Sequence, residues 1–245
     1  MKYYEMHEEV YKSLDQEGCI AWDGQKDIQR LFDHSTNAEM AKRVDELFQK
    51  KENCFALDLG TGTGTSALYL AHKGFTTTGF DISETSIKMA QNNAKKLALK
   101  NVQFLVEDLT TISIGARFDL VVDSCLLHCL VTDKDRSNFY KLIQRALSED
   151  GYMFMHTMIQ SNDMSEMTDK DYLTFKNNIL WSTNPKGWTM EMENINGREM
   201  FPHRKILKLE ELKNEILEAG LIIDQYQINQ QATHPDNFYG WLRLK

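Results

Sequence analysis

The stretch Leu57-Asp58-Leu59-Gly60-Thr61-Gly62-Thr63-Gly64 constrains the fold of this chain more than any other. The apolar run before the glycines, residues 54–59, reads as a buried strand of a parallel sheet. Three glycines at alternate positions follow it, and a helix then opens with Ala67, Leu68, Leu70 and Ala71 as its apolar face. Such a turn lets the backbone come close to a ligand, and the new helix aims free N–H groups and a positive dipole end at it. A dinucleotide-binding turn has the spacing G-x-G-x-x-G. Counted from Gly60, its last glycine would stand at position 65, where this chain has Thr65. The pattern present is Asp-x-Gly-x-Gly-x-Gly.

Strands and helices alternate from there on, which predicts an α/β doubly wound, mostly parallel sheet. The expected strands are 54–59, 76–81, 102–106, 118–123 and 152–158. Helices are expected over 65–73, 83–97 and 133–147, the last closed by Gly151. An amphipathic helix over 38–49, with Asn37 as its cap, precedes them. A helix over 209–219 and strands over 221–228 and 240–244 finish the chain, bringing the sheet to seven strands. Residues 1–245 are read as a single domain with two additions outside the alternation. One is a polar and aromatic leader, residues 1–37. The other is an insertion, 160–205, that holds Met164, Met167, Tyr172, Phe175, Trp181, Trp188, Met190, Met192, Met200 and Phe201 without strand periodicity. Both are expected to cover the open end of the sheet.

A length of 245 residues and a hydrophobic content of 42% suffice for one full core. A net charge of −8 argues against a phosphate-binding surface and hence against nucleic acid as partner. The four cysteines form no disulfide framework, which makes a reducing cytoplasm the expectation. No apolar run approaches membrane-spanning length. The sequence sets no oligomeric state.

The glycine turn, with acids after the next two strands, resembles the cofactor-binding motifs of class I S-adenosylmethionine-dependent methyltransferases. In doubly wound folds ligands bind beyond the carboxyl ends of the strands, and the matching residues fall there. The resemblance implies that Gly60, Thr61, Gly62 and Gly64 cradle the cofactor. It also implies that Asp81, followed by Ile82, accepts from the ribose diol, and that Asp108 accepts from the adenine amino group with Leu109 beside the ring. Asp58, inside a strand, is costly as an isolated buried charge unless a cationic ligand or the loop's own N–H groups offset it. Asp123 and Ser124, at the end of the fourth strand, complete the expected cofactor side. Ala21-Trp22-Asp23 is similar to the Pro-Trp-Asp segment of the thiol, thiopurine and halide methyltransferases, which implies a leader folded over the cofactor with Trp22 against it. The tail looks like the family's antiparallel pair.

The chain has Asp123-Ser124-Cys125-Leu126 where methyltransferases of DNA and protein amides carry Asn/Asp-Pro-Pro-aromatic. That points to a small-molecule acceptor. His128 is a candidate general base, a residue closing the methionine end of the pocket, or a helix-face histidine bonded to backbone. His156 is the second catalytic candidate. Cys125, His128 and Cys129 resemble part of a metal site, but buried cysteines mostly pack, so no metal is expected. Arg198, His203 and Arg204 are expected on a solvated face rather than around an anionic substrate. The implied activity is methyl transfer from S-adenosylmethionine to a small molecule. A cyclase or lyase using the same cofactor, a non-catalytic binding protein and an NAD-dependent oxidoreductase are the alternatives.

Overall fold

The computed structural model describes residues 2–162, 164, 171–183, 191–231 and 235–245. Met167, Trp188 and Met190 of the insertion lie outside the described residues. Helices α1 (Met6–Gln16) and α2 (Ser35–Leu47) precede the glycine turn. The alternation runs β1 (Phe55–Leu59), α3 (Thr65–His72), β2 (Thr76–Asp81), α4 (Glu84–Lys96), β3 (Val102–Val106), β4 (Phe118–Ser124), α5 (Asp133–Ala146) and β5 (Leu147–Ile159). Four short strands follow: β6 (Leu173–Lys176), β7 (Ile179–Ser182), β8 (Glu193–Ile195) and β9 (Arg198–Lys205). Helix α6 (Leu209–Glu218) leads into β10 (Leu221–Asn229) and β11 (Asp236–Leu244).

Seven strands form one sheet in the order β10-β11-β5-β4-β1-β2-β3. Strand β1 pairs in parallel with β2 on one side and β4 on the other. The winding reverses there, so the ligand crevice opens beyond the carboxyl end of β1. Strand β11 runs antiparallel to both β10 and β5. The fold class is the expected one.

At the centre of the sheet both faces are buried, which is why β1 reads as an apolar run. Leu57 and Leu59 join Phe139 and Ile143 of α5 and Ile216 of α6. Ala56 joins Met40 and Val44 of α2 on the opposite face. Truncating a fully buried Leu such as Leu57 to Ala carries a cost of roughly 2–5 kcal/mol.

The structure departs from the sequence reading in four places. Helix α1 forms within the leader, where polar residues had masked it. Helix α2 begins at Ser35, and its cap is His34, whose Nδ1 accepts from the Thr36 N–H at 3.3 Å. Asn37 is buried inside that helix and donates to the carbonyls of Phe32 and Thr65, tying α2 to the glycine turn. Helix α5 stops at Ala146 and passes straight into β5, so Gly151 is a strand residue, not a helix terminator.

The fourth departure is the insertion. Far from lacking strands, it is an antiparallel sheet of order β6-β7-β9-β8. Two-residue turns join its hairpins at Asn177-Asn178 (φ 53° and 62°) and Asn196-Gly197 (φ 53° and 82°). Positive φ at both central positions matches the twist of paired strands, and Asn and Gly adopt it at least cost. This sheet meets the large one through a bridge between Ile159 and Leu207 and through the Gln160 side chain, which donates to Asn178 and the Ile206 carbonyl. Strand β9 packs against the 3-10 turn Leu127–Cys129 that follows β4.

Candidate functional site

The glycine turn is held from inside. Asp58 Oδ2 accepts from Thr61 Oγ1 at 2.7 Å and from the Ala67 N–H at 3.1 Å, so it anchors the loop and satisfies one free donor of α3. Gly62 (φ 52°) and Gly64 (φ 85°) are left-handed and are needed for different reasons. A Cβ at Gly64 would lie 2.9 Å from Phe104, beneath the turn. A Cβ at Gly62 would run into the Tyr11 hydroxyl, which lies above it.

Three more carboxylates stand at strand ends. Asp81 accepts from the Gly62 N–H at 2.8 Å and the Ser83 N–H at 2.9 Å. Ser83 also caps α4. Asp123 is fully buried and accepts from the Leu126 N–H at 2.7 Å and from that of Leu127. Burial raises the pKa of Asp81, and it lifts those of Asp58 and Asp123 from 3.8 to about 7. Asp108 behaves oppositely. Burial pushes its pKa up, but the Lys2 ammonium and the Thr110 donors outweigh that and hold it below the usual value.

The leader is fastened to these same loops. Lys2 Nζ donates to Asp108 at 2.7 Å, and the Tyr4 hydroxyl reaches the same carboxylate at 3.2 Å. Glu8, on α1, accepts from Ser83 Oγ and Thr85 Oγ1, both at 2.6 Å. Tyr11 and Trp22 meet edge to face at a centroid distance of 5.2 Å.

Beyond β4 the chain turns through Cys125, which holds φ 69° and donates its N–H to the His156 carbonyl at 2.9 Å. His128 is buried. The Met158 N–H donates to its Nδ1 at 3.2 Å, and Thr157 Oγ1 lies 3.2 Å from the same atom. The neutral ring therefore carries its proton on Nε2. Burial, and then the charge of Arg204, push its pKa well below that of a free histidine. His156 stacks on Tyr239 at 4.3 Å, and its two nitrogens meet Thr36 Oγ1 at 2.7 Å and Asn237 Oδ1 at 3.2 Å.

A cavity of about 240 Å³ opens between these elements. Of the residues expected on the cofactor side, Gly60, Thr61 and Gly62 line it, as do Asp81 and Ile82, Asp108 and Leu109, and Ser124. Trp22 and His128 line it too. Asp58, Gly64 and Asp123 stand behind its wall, and His156 is not on its surface. The sequence reading missed His7 and Tyr11, which share one face with Tyr4 at helical spacing, and that spacing was the available signal. It also placed Arg204 on a solvated face, whereas Arg204 lines the cavity. His203 is half-buried, and Arg198 is paired with Asp171 at the surface. Among the described residues no group of three His, Cys, Asp or Glu side chains is placed to hold a metal ion.

Residues 50–220 match the family described as methyltransferase domain, and the chain belongs to that family, in its class I S-adenosylmethionine-dependent form. It is 35% identical over 99 residues to 2-heptyl-1-hydroxyquinolin-4(1H)-one methyltransferase of Mycobacteroides abscessus, covering 40% of this chain and 43% of that one. It is 32% identical over 125 residues to the putative methyltransferase YqeM of Bacillus subtilis, covering 50% and 49%. The chain thus spans less than half the length of these two curated relatives. The fold is similar to that of a Burkholderia thailandensis 1,6-didemethyltoxoflavin-N1-methyltransferase bound to 1,6-didemethyltoxoflavin and S-adenosylhomocysteine. That likeness has a TM-score of 0.62 at 14% identity and covers 87% of this chain and 80% of that one. It is also similar to an S-adenosylmethionine-dependent methyltransferase from Clostridium acetobutylicum, with a TM-score of 0.61 at 17% identity over 87% and 92%. Among the described residues no helix is long and apolar enough to cross a membrane.

Proposed function

We propose that this protein transfers a methyl group from S-adenosylmethionine to a small-molecule acceptor. The observation that carries the proposal is the convergence of the β1, β2 and β3 ends on one cavity roofed by the leader and by β9. The residues there fit the family's cofactor. Asp58 Oδ1 is buried and has no hydrogen-bond partner among the described residues. With Asp123 behind the wall and Asp81 on it, Asp58 makes a set of desolvated carboxyls whose ionised form a cationic group in the cavity would stabilise. The cofactor's ammonium and sulfonium are such groups. Asp81 faces the cavity with acceptor capacity left for a ribose diol. At Asp108 an adenine amino group would share a carboxylate that Lys2 and Tyr4 already hold.

When bound, the cofactor supplies a methyl carbon already activated by the sulfonium. The chain's own work is to align an acceptor with it and to exclude water. Tyr11, Trp22 and the rest of residues 1–37 act as a lid, and 160–205 as a cap, on a single domain. His128 presents a donor to the cavity, because its acceptor nitrogen is taken by Met158. It therefore orients a group rather than removing a proton. His156, tied at both nitrogens, holds Thr36 and β11 in place behind the site.

The small-molecule reading is supported by the size of the cavity, by Ser124-Cys125 after β4, and by relatives named for small acceptors. Nucleic acid and membranes are not proposed as partners, and four unpaired thiols suit a reducing cytoplasm. Calorimetry should detect binding of S-adenosylhomocysteine and none of NAD. Incubation with S-adenosylmethionine and a panel of small acceptors should release S-adenosylhomocysteine. Methylthioadenosine as the product would indicate cyclase or lyase chemistry instead, and NAD binding would overturn the reading.

A further inference from the structure

The cavity has two chemically different ends. Asp81, Glu107 and Asp108 line the one beyond β2 and β3. The other, beyond β4 and β5, is lined by Leu126, Leu130 and Met158 with one cation, Arg204 of β9. Arg204 donates through Nη1 to the His203 carbonyl at 2.8 Å, and no carboxylate lies within 4.0 Å of it among the described residues. The contrast with the interior arginine Arg136 is informative. Arg136 meets both oxygens of Glu215 at 3.0 Å and donates to the Leu127 and Leu130 carbonyls. A guanidinium with structural work is satisfied in this fold, whereas Arg204 keeps most of its donor fork unused.

The neighbours of Arg204 do not balance its charge. His7, His128 and His203 all feel it, and burial keeps each neutral. Neither Asp81 nor Asp123 comes within the 4.0 Å of an ion pair with it. A partly desolvated cation with free donors and no counter-ion attracts an anionic oxygen group, for which the planar fork is suited.

We infer that Arg204 is the anion subsite of the acceptor pocket: the acceptor bears a carboxylate-type group that the guanidinium takes, and its apolar body lies against Leu126, Leu130 and Met158. This rests on the methyl-transfer reading for the identity of the ligand as acceptor.

The test uses benzoate and benzamide, two probes of one shape that differ in charge, with the full chain, in the presence and absence of S-adenosylhomocysteine. Ligand-observed NMR titrations should show benzoate held at least about tenfold more tightly than benzamide. Arg204→Gln should weaken benzoate by roughly ten- to a hundredfold, with the melting temperature and the S-adenosylhomocysteine affinity unchanged. Arg204→Lys, which keeps the charge without the fork, should fall between. Failure of benzoate to bind, equal binding of benzamide, or retention of benzoate by Arg204→Gln each overturns the inference. So does a parallel fall in S-adenosylhomocysteine affinity, which would assign Arg204 to the cofactor's own carboxylate. If the wild type does not bind the nucleoside at all, the methyl-transfer reading fails, and the arm without nucleoside still decides whether the anion subsite exists.

Discussion

Replacing Asp58 by Asn should stabilise the ligand-free protein at alkaline pH and weaken its hold on the cofactor. Asp58 titrates at about 7 in the fold against 3.8 for an ordinary Asp, because burial disfavours its ionised form and only Thr61 and Ala67 donate to it. An acid whose folded value is raised binds more protons folded than unfolded within that window. Stability therefore falls as pH rises from about 4 to about 7, and the full loss is present above that. At about 1.4 kcal/mol per tenfold, the three decades amount to about 4 kcal/mol as an upper bound. The Asp58→Asn amide keeps an acceptor for Thr61 and Ala67. It also buries an NH2 where Oδ1 has no partner, at a cost of roughly 1–3 kcal/mol. The expected net effect near pH 8 is a gain of about 1–3 kcal/mol, turning to a loss of similar size near pH 4, where the wild-type carboxyl is protonated in the fold. Urea unfolding at the two pH values measures both. The same variant should lower affinity for S-adenosylmethionine more than for S-adenosylhomocysteine, which lacks the sulfonium charge. Equal destabilisation at both pH values would refute the reasoning, since it would mean the donors fully offset the buried charge.

Asp81→Ala should weaken S-adenosylhomocysteine binding by roughly 1.5–3 kcal/mol, the scale for hydrogen bonds to a charged group, and unchanged calorimetric affinity would remove Asp81 from the site. His128→Ala should lower turnover while the pH–rate profile keeps its shape, because the ring stays neutral at and above its ordinary titration range. Loss of an acid limb from that profile would restore the general-base role. Hydrogen exchange over residues 2–37 should slow on adding S-adenosylhomocysteine, and exchange unchanged there while Gly60–Gly64 is protected would end the lid reading.

The half of the cavity at the β1, β2 and β3 ends was legible because its pattern is local. A glycine turn, a strand-end acid and the helix after each are neighbours in sequence, so spacing alone brings Gly60, Asp81 and Asp108 to one edge. The half beyond β4 and β5 was not, because it depends on pairings distant in the chain. His156 is fixed by Thr36 and Asn237, from the second helix and the last strand. Arg204 reaches the cavity only because β7 pairs with β9, opposite Leu180. Its position in the sequence does not distinguish a pocket wall from a solvated face. The second sheet did leave a signal, the Asn-Asn and Asn-Gly turns. Strands β6, β7 and β8 are short, however, and the sheet's shared core of Trp181, Ile195 and Met200 is too small to impose a visible alternation. Helix α1 was hidden by charge, with Glu8, Glu9 and Lys12 surrounding a buried face of Met6 and Tyr11.

The second sheet consists of hairpins with two-residue turns and meets the large one at Ile159–Leu207 and Gln160. On the proposed reading, the strand ends and the leader form the nucleoside half of the cavity, while β9 contributes Arg204 to the half that takes the other ligand. Selectivity for one partner molecule can therefore drift while the shared reagent continues to bind as before. A graft exchanging residues 171–205 between relatives should transplant acceptor preference as a unit.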